Sequence, residues 1–141
     1  MDRKAKAQWK GDLKSGAGIL STTSGVLSST PYSFRDRFEQ GTGTNPEELL
    51  AAAHAGCFTM ALSMTLQNEG LKAESLETTC TITLDKEGDG FAIKRSRLEL
   101  SAKIPGASQE AFTRATNSAK EGCPVSKLFD TEITLDAKLE S

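Results

Sequence analysis

Cysteine, histidine and charge of one sign are all scarce in this sequence. Its 3 cysteines are an odd number and stand far apart, which excludes the disulfide framework of a small secreted domain. Any bond between two of them would be transient and catalytic. The 17 Lys and Arg are intermixed with 19 Asp and Glu, for a formal charge of -2. No basic stripe recruits nucleic acid or anionic lipid. The first ten residues, MDRKAKAQWK, lack the apolar core of a signal peptide, and no run approaches the length of a membrane-spanning helix. These absences predict a cytoplasmic protein without nucleic-acid or membrane partners. Repeats, low-complexity tracts and linkers are also missing, so 141 residues read as a single domain, 1–141.

What is present centres on TNPEELLAAAHAGCF, residues 44–58. Asn45 suits a helix N-cap because its side-chain oxygen can accept a free backbone N–H. Pro46 suits the first helical position, and Glu48 stands where a capping-box carboxylate would. Strong helix formers continue to Gly70, a C′ residue, giving roughly 24 residues and about 36 Å. So apolar a helix predicts a long, central, buried element. Between Ala51 and Gly56 only His54 is larger than alanine, which would let another backbone approach closely.

Around this helix the alternation is that of strands. Ala5, Ala7 and Trp9 open a hairpin, and Ile19–Ser21 and Val26–Ser28 flank a second turn at Ser24-Gly25. In PYSFRDRFEQ, extended structure would put Tyr32, Phe34 and Phe38 on one face and Arg35 and Arg37 on the other. Cys80, Ile82 and Leu84 face the core of a further strand. Leu98, Leu100, Ala102 and Ile104 face the core of the next, with a bulge near KRSR where the phase slips. Ser108 caps a second, shorter helix that ends at Gly122, and Ile133 to Leu139 alternate as the last strand. The whole is α+β with antiparallel sheets.

Two cysteines invite chemistry. Cys123, in GCPVSKLF, stands at the N-cap of a short helix, where unpaired N–H groups favour a thiolate. Cys57 lies well beyond its own helix's first turn, where burial raises a thiol pKa, so it needs a nearby cation, Arg37 or Arg35, to act as a nucleophile.

NPEELLAAAHAGCF together with GCPVSKLF resembles the osmotically inducible protein C and organic hydroperoxide resistance family of thiol peroxidases. The resemblance extends to WKGDLKSGAG, SGVLSSTPYSFRDRFE and EITLDAKL, effectively the whole chain. Histidine at position 54 and an arginine in the RFE segment are similar to the osmotically inducible branch. The resemblance implies Cys57 as the attacking and Cys123 as the resolving cysteine, Arg37 as the activating arginine and Glu47 as its orienting carboxylate. It implies a sulfenic acid at Cys57, a Cys57–Cys123 disulfide, organic hydroperoxide substrates and lipoyl-type dithiol reductants, with no metal or flavin cofactor. Cys80 has no counterpart in the family's motifs and reads as core. Tyr32, Phe34, Phe38, Phe58 and Met60 could line an apolar pocket.

Two other classes remain to be weighed. His54, Cys57 and Cys123 could hold a metal, although structural zinc ligands usually come in close pairs. A non-enzymatic dimer binding an apolar ligand would leave both cysteines inert. Finally, Glu47 and Cys57 are roughly 15 Å apart along one helix, too far for one arginine to serve both. Either the helix breaks at Gly56, or the Arg37 and Glu47 pair serves a second chain in an obligate, intertwined homodimer.

Overall fold

The computed structural model describes residues 1–141. Residues 1–49 form one compact unit and 50–141 another. In the first, β1 (Ala5–Lys10), β2 (Ala17–Thr22) and β3 (Thr30–Tyr32) make an antiparallel sheet. Two expectations fail here. Val26–Ser28 form a bend rather than a strand. Phe34–Phe38, expected to be extended, form a short helix, α1. Ser33 overrides the alternation: its hydroxyl caps α1 by accepting from the Asp36 N–H. Arg35 and Arg37 therefore do not share an extended face.

α2 (Pro46–Asn68) starts as the sequence predicts, with Asn45 Oδ1 accepting from the Glu48 N–H at 2.8 Å. The Glu48 carboxylate instead accepts from the Thr44 hydroxyl at 2.7 Å, so only half of the capping box forms. At the far end Gly70 has φ 75°, and the N–H groups of Gly70 and Leu71 donate to Gln67 and Leu66 carbonyls. That is a Schellman stop, which a Cβ at position 70 would strain.

The burial of α2 within the chain is one-sided. His54, Phe58, Leu62 and Leu66, each four residues on, form the buried stripe. On the opposite side Ala52, Gly56, Met60 and Met64 form a second small or apolar stripe that is exposed, Met60 at 77% and Met64 at 63%. By length and hydropathy this helix is also apolar enough to cross a membrane, contrary to the expectation that no run approaches that length. Alanine, leucine and methionine account for that hydropathy, while the stripe centred on Phe58 and Leu62 packs into the core.

In the second unit β4 (Ser75–Glu87), β5 (Gly90–Lys103) and β6 (Glu132–Glu140) form a sheet with β5 in the middle. β4 and β5 pair antiparallel, and Lys94, in KRSR, is the extra residue where register shifts opposite Thr83 and Leu84. β5 and β6 pair parallel, which departs from the antiparallel expectation. α3 (Gln109–Gly122) and α4 (Pro124–Leu128) fill the connection and return the chain to the start of β5, as a parallel pair requires. Leu98, Leu100 and Ala102 on β5 pack with Phe58, Leu62 and Leu66 and with Phe112, Ala115 and Ala119 of α3 in one core. Truncating Phe58 to alanine there would cost about 3–5 kcal/mol.

Candidate active site

The first unit builds a cation. Asp36 stitches α1 to the loop ahead of α2: its carboxylate accepts from the Ser33 hydroxyl at 2.6 Å and the Gly43 N–H at 2.7 Å. These bonds hold its pKa below the usual carboxylate value. A Cβ at Gly41 would collide with that same carboxylate. So braced, α1 presents Arg37 to Glu47 in the first turn of α2. Arg37 Nη2 and Nε donate to Glu47 Oε1 at 2.7 and 3.1 Å, and Nε also reaches Oε2 at 3.3 Å. Arg35 is different, pointing to solvent with 74% of its side chain exposed and only a long contact to Glu39. Arg37 also borders a cavity of about 310 Å³ with Trp9, Leu13, Tyr32, Phe34 and Phe38. Of the aromatic and methionine residues expected in a pocket, Tyr32, Phe34 and Phe38 line this one. Phe58 is closed core and Met60 points outward.

The second unit brings the thiols together. All three cysteines are free; Cys57 and Cys80 are half-buried and Cys123 is fully buried. Cys123 ends α3 and N-caps α4, its sulfur accepting from the Ser126 N–H at 3.4 Å, as the GCPVSKLF grammar predicts. Its side chain lies beside Cys57. Burial pushes the Cys57 thiol up; the Val125 N–H opposes this and the neighbouring Cys123 adds to it. Burial thus disfavours the thiolate at Cys57.

Sequence reasoning missed a buried polar chain. Cys123 Sγ lies 3.0 Å from Ser126 Oγ, Ser126 Oγ 2.8 Å from His54 Nε2, and His54 Nδ1 2.6 Å from Ser96 Oγ. Ser96 Oγ is in turn 3.3 Å from Cys80 Sγ. Cys80 is therefore the end of this chain as well as a core residue. Phe129 closes over His54 edge-on at 5.0 Å. The sequence did carry the signal: His54 falls in phase with Phe58, Leu62 and Leu66, and Ser96 with Leu98 and Leu100. A polar residue on each of two facing apolar stripes implies a buried pair. Both imidazole nitrogens are occupied by serines, and no cluster of three His, Cys, Asp or Glu side chains is placed to hold a metal.

The α+β chain thus sets one half-buried and one buried thiol side by side. Residues 39–138 match the family model described as OsmC-like protein. The chain is 48% identical to peroxiredoxin OsmC of Escherichia coli over 99% of this chain and 97% of that one. It is 32% identical to the organic hydroperoxide resistance protein OhrB of Bacillus subtilis, covering 88% of each. The crystal structure of OhrB superposes with a TM-score of 0.69, covering 97% of this chain and 98% of that one at 27% identity. The chain belongs to the OsmC-like family.

Proposed function

We propose that the chain is a cysteine-based peroxidase that reduces organic hydroperoxides to alcohols, with residues 1–141 acting as one domain. The observation that carries this reading is the placement of Cys57 beside Cys123 in a chain nearly half identical to a peroxiredoxin. Cys57 thiolate attacks the terminal oxygen of ROOH, the O–O bond breaks, and alkoxide leaves as alcohol once protonated. The sulfur becomes a sulfenic acid, Cys123 condenses with it to a disulfide, and water leaves. A dithiol of the lipoyl type restores both thiols by exchange. The apolar cavity beside Arg37 suits the organic group of such a peroxide. In the cytoplasm, a reducing compartment, the three thiols stay free between turnovers. Inert cysteines on a binding protein would have no use for this adjacency.

Arg37 supplies the positive charge that burial makes necessary, and Glu47 holds its fork. α2 runs unbroken through Gly56, so Glu47 stays roughly 15 Å along the helix from Cys57. We assign the Arg37 and Glu47 pair to the Cys57 of a second copy in a homodimer. The exposed stripe of Ala52, Gly56, Met60 and Met64 supports this, being apolar and small enough for a second α2 to cross it closely.

Intact mass after one equivalent of cumene hydroperoxide tests the chemistry. The expected product has lost two hydrogens and carries a Cys57–Cys123 disulfide. A Cys123→Ser variant should stop at a sulfenic acid on Cys57 that dimedone traps. Oxygen trapped on Cys123 in an active Cys57→Ser variant would overturn the assignment. Co-expressing Cys57→Ser with Arg37→Ala chains tests the dimer: isolated mixed dimers should regain activity at one of two sites. Mixed dimers as inactive as their parents would place the site within one chain.

A further inference from the structure

The buried chain from Cys123 to Cys80 has no part in the peroxide step, yet it ends on the resolving sulfur. Ser126 touches that sulfur twice, through its N–H and its hydroxyl, and its hydroxyl also reaches His54. Resting on the peroxidase reading, we propose that Ser126 and His54 form the proton path of the resolving step. Ser126 takes the Cys123 thiol proton as it passes its own to His54 Nε2.

The proposed path uses the tautomer in which Nδ1 carries the proton: Nδ1–H then donates to Ser96 Oγ at 2.6 Å and Nε2 is an acceptor facing the Ser126 hydroxyl at 2.8 Å. This is the arrangement of a nucleophile, a base and an orienting group, with a serine inserted between sulfur and imidazole and a second serine in place of a carboxylate. Burial lowers the His54 pKa, which keeps the ring neutral and able to accept. The titratable groups facing His54 are Cys80 on β4 and, through Ser126, Cys123 at the start of α4. Ser96 on β5 and Phe129 after α4 complete its surroundings without adding charge.

In the step itself the Cys123 S–H bond breaks and a new N–H bond forms at His54 Nε2. The Cys123 electron pair makes the S–S bond while the S–O bond of the Cys57 sulfenic acid breaks. Cys123 sulfur is oxidised, the sulfenic sulfur is reduced, and hydroxide with the proton from His54 gives water. No external oxidant enters. Ser126 is catalytic because it touches the reacting sulfur; His54 is a positioning residue acting through it.

Rapid-quench mass spectrometry on the full-length protein separates the two steps, reading sulfenic acid at Cys57 and then its conversion to disulfide after cumene hydroperoxide. Wild-type conversion should be nearly independent of pH from 6.5 to 8.5. In Ser126→Ala and in His54→Asn it should slow roughly 10²-fold at pH 7 and climb with pH as external base takes over. His54→Ala should be accelerated by added imidazole. Conversion in Ser126→Ala at the wild-type rate overturns the proposal, as does a flat pH profile in His54→Asn at the wild-type rate. Absence of sulfenic acid in the wild-type chain would instead overturn the peroxidase reading beneath it.

Discussion

The protein handles polarity in opposite ways in its two units. Around Arg37 the first unit builds a full ion pair, part-exposed to water and fixed by a bidentate fork onto Glu47. Around His54 the second unit builds a neutral chain of hydroxyls, imidazole and thiols, every buried nitrogen and oxygen of which has a partner. A permanent charge in the interior would have to be paid for by several kcal/mol of desolvation. A neutral chain avoids that cost and still moves a proton. On the proposed reading the lesson is a division of labour: fixed charge for making the attacking thiolate, mobile protons for the thiol that follows.

The largest test of this contrast removes the fixed charge. Arg37→Ala should cut the Cys57 thiolate population, and with it peroxide consumption near pH 7, by roughly 10–10³-fold. Alkylation rate against pH would show the Cys57 midpoint moving upward; Glu47→Gln should move it less. Breaking the neutral side should be felt in folding instead. Ser96→Ala leaves His54 Nδ1 without its partner and should cost about 1–3 kcal/mol in urea unfolding.

A pH series sharpens the same side. Burial holds His54 below its ordinary 6.5, so on acidification the unfolded chain binds a proton that the folded chain refuses. Stability from this group is therefore fully present above pH 6.5 and declines as pH falls from there toward the folded value. The thermal midpoint should drop over that range, and less so in His54→Asn. The smallest effect is expected at Arg35, whose side chain faces solvent: Arg35→Ala should change peroxide consumption by less than about 2-fold, as is usual for an exposed, screened charge. A larger loss there would move the activating role from Arg37.

Much of this was legible in the residues. Asn45, Pro46 and Gly70 fix the ends of α2, Ser108 starts α3, and Gly122-Cys123-Pro124 marks the junction where Cys123 caps α4, because each is a local contest over backbone hydrogen bonds. What escaped depends on partners distant in sequence. Phe34–Phe38 alternate like a strand, but Ser33 and Asp36 supply a cap and a loop brace that tip them into a helix. The direction of β6 is set by the length of α3 and α4, not by its own alternation. The polar chain escaped because His54, Ser96 and Ser126 lie on three different elements and meet only when the core closes. The Cys57 and Cys123 pairing came from family resemblance; the N-cap position alone favoured Cys123 as the more acidic thiol.

The parallel pairing of β6 with β5 also sets a timetable. A parallel strand cannot fold back through a tight turn, so β5 has only β4 beside it until residues 132–140 have been synthesised. Cys123 sits in the crossover that this last strand pulls into place. Parallel pairing across so long a connection is slow to form, because its closure entropy must be met before any contact rewards it. During biosynthesis Cys57 therefore exists before its resolving partner is docked and, on the proposed assignment, before a second copy can supply Arg37. The capacity to attack peroxide and the capacity to resolve the product should therefore arrive together, with the finished fold.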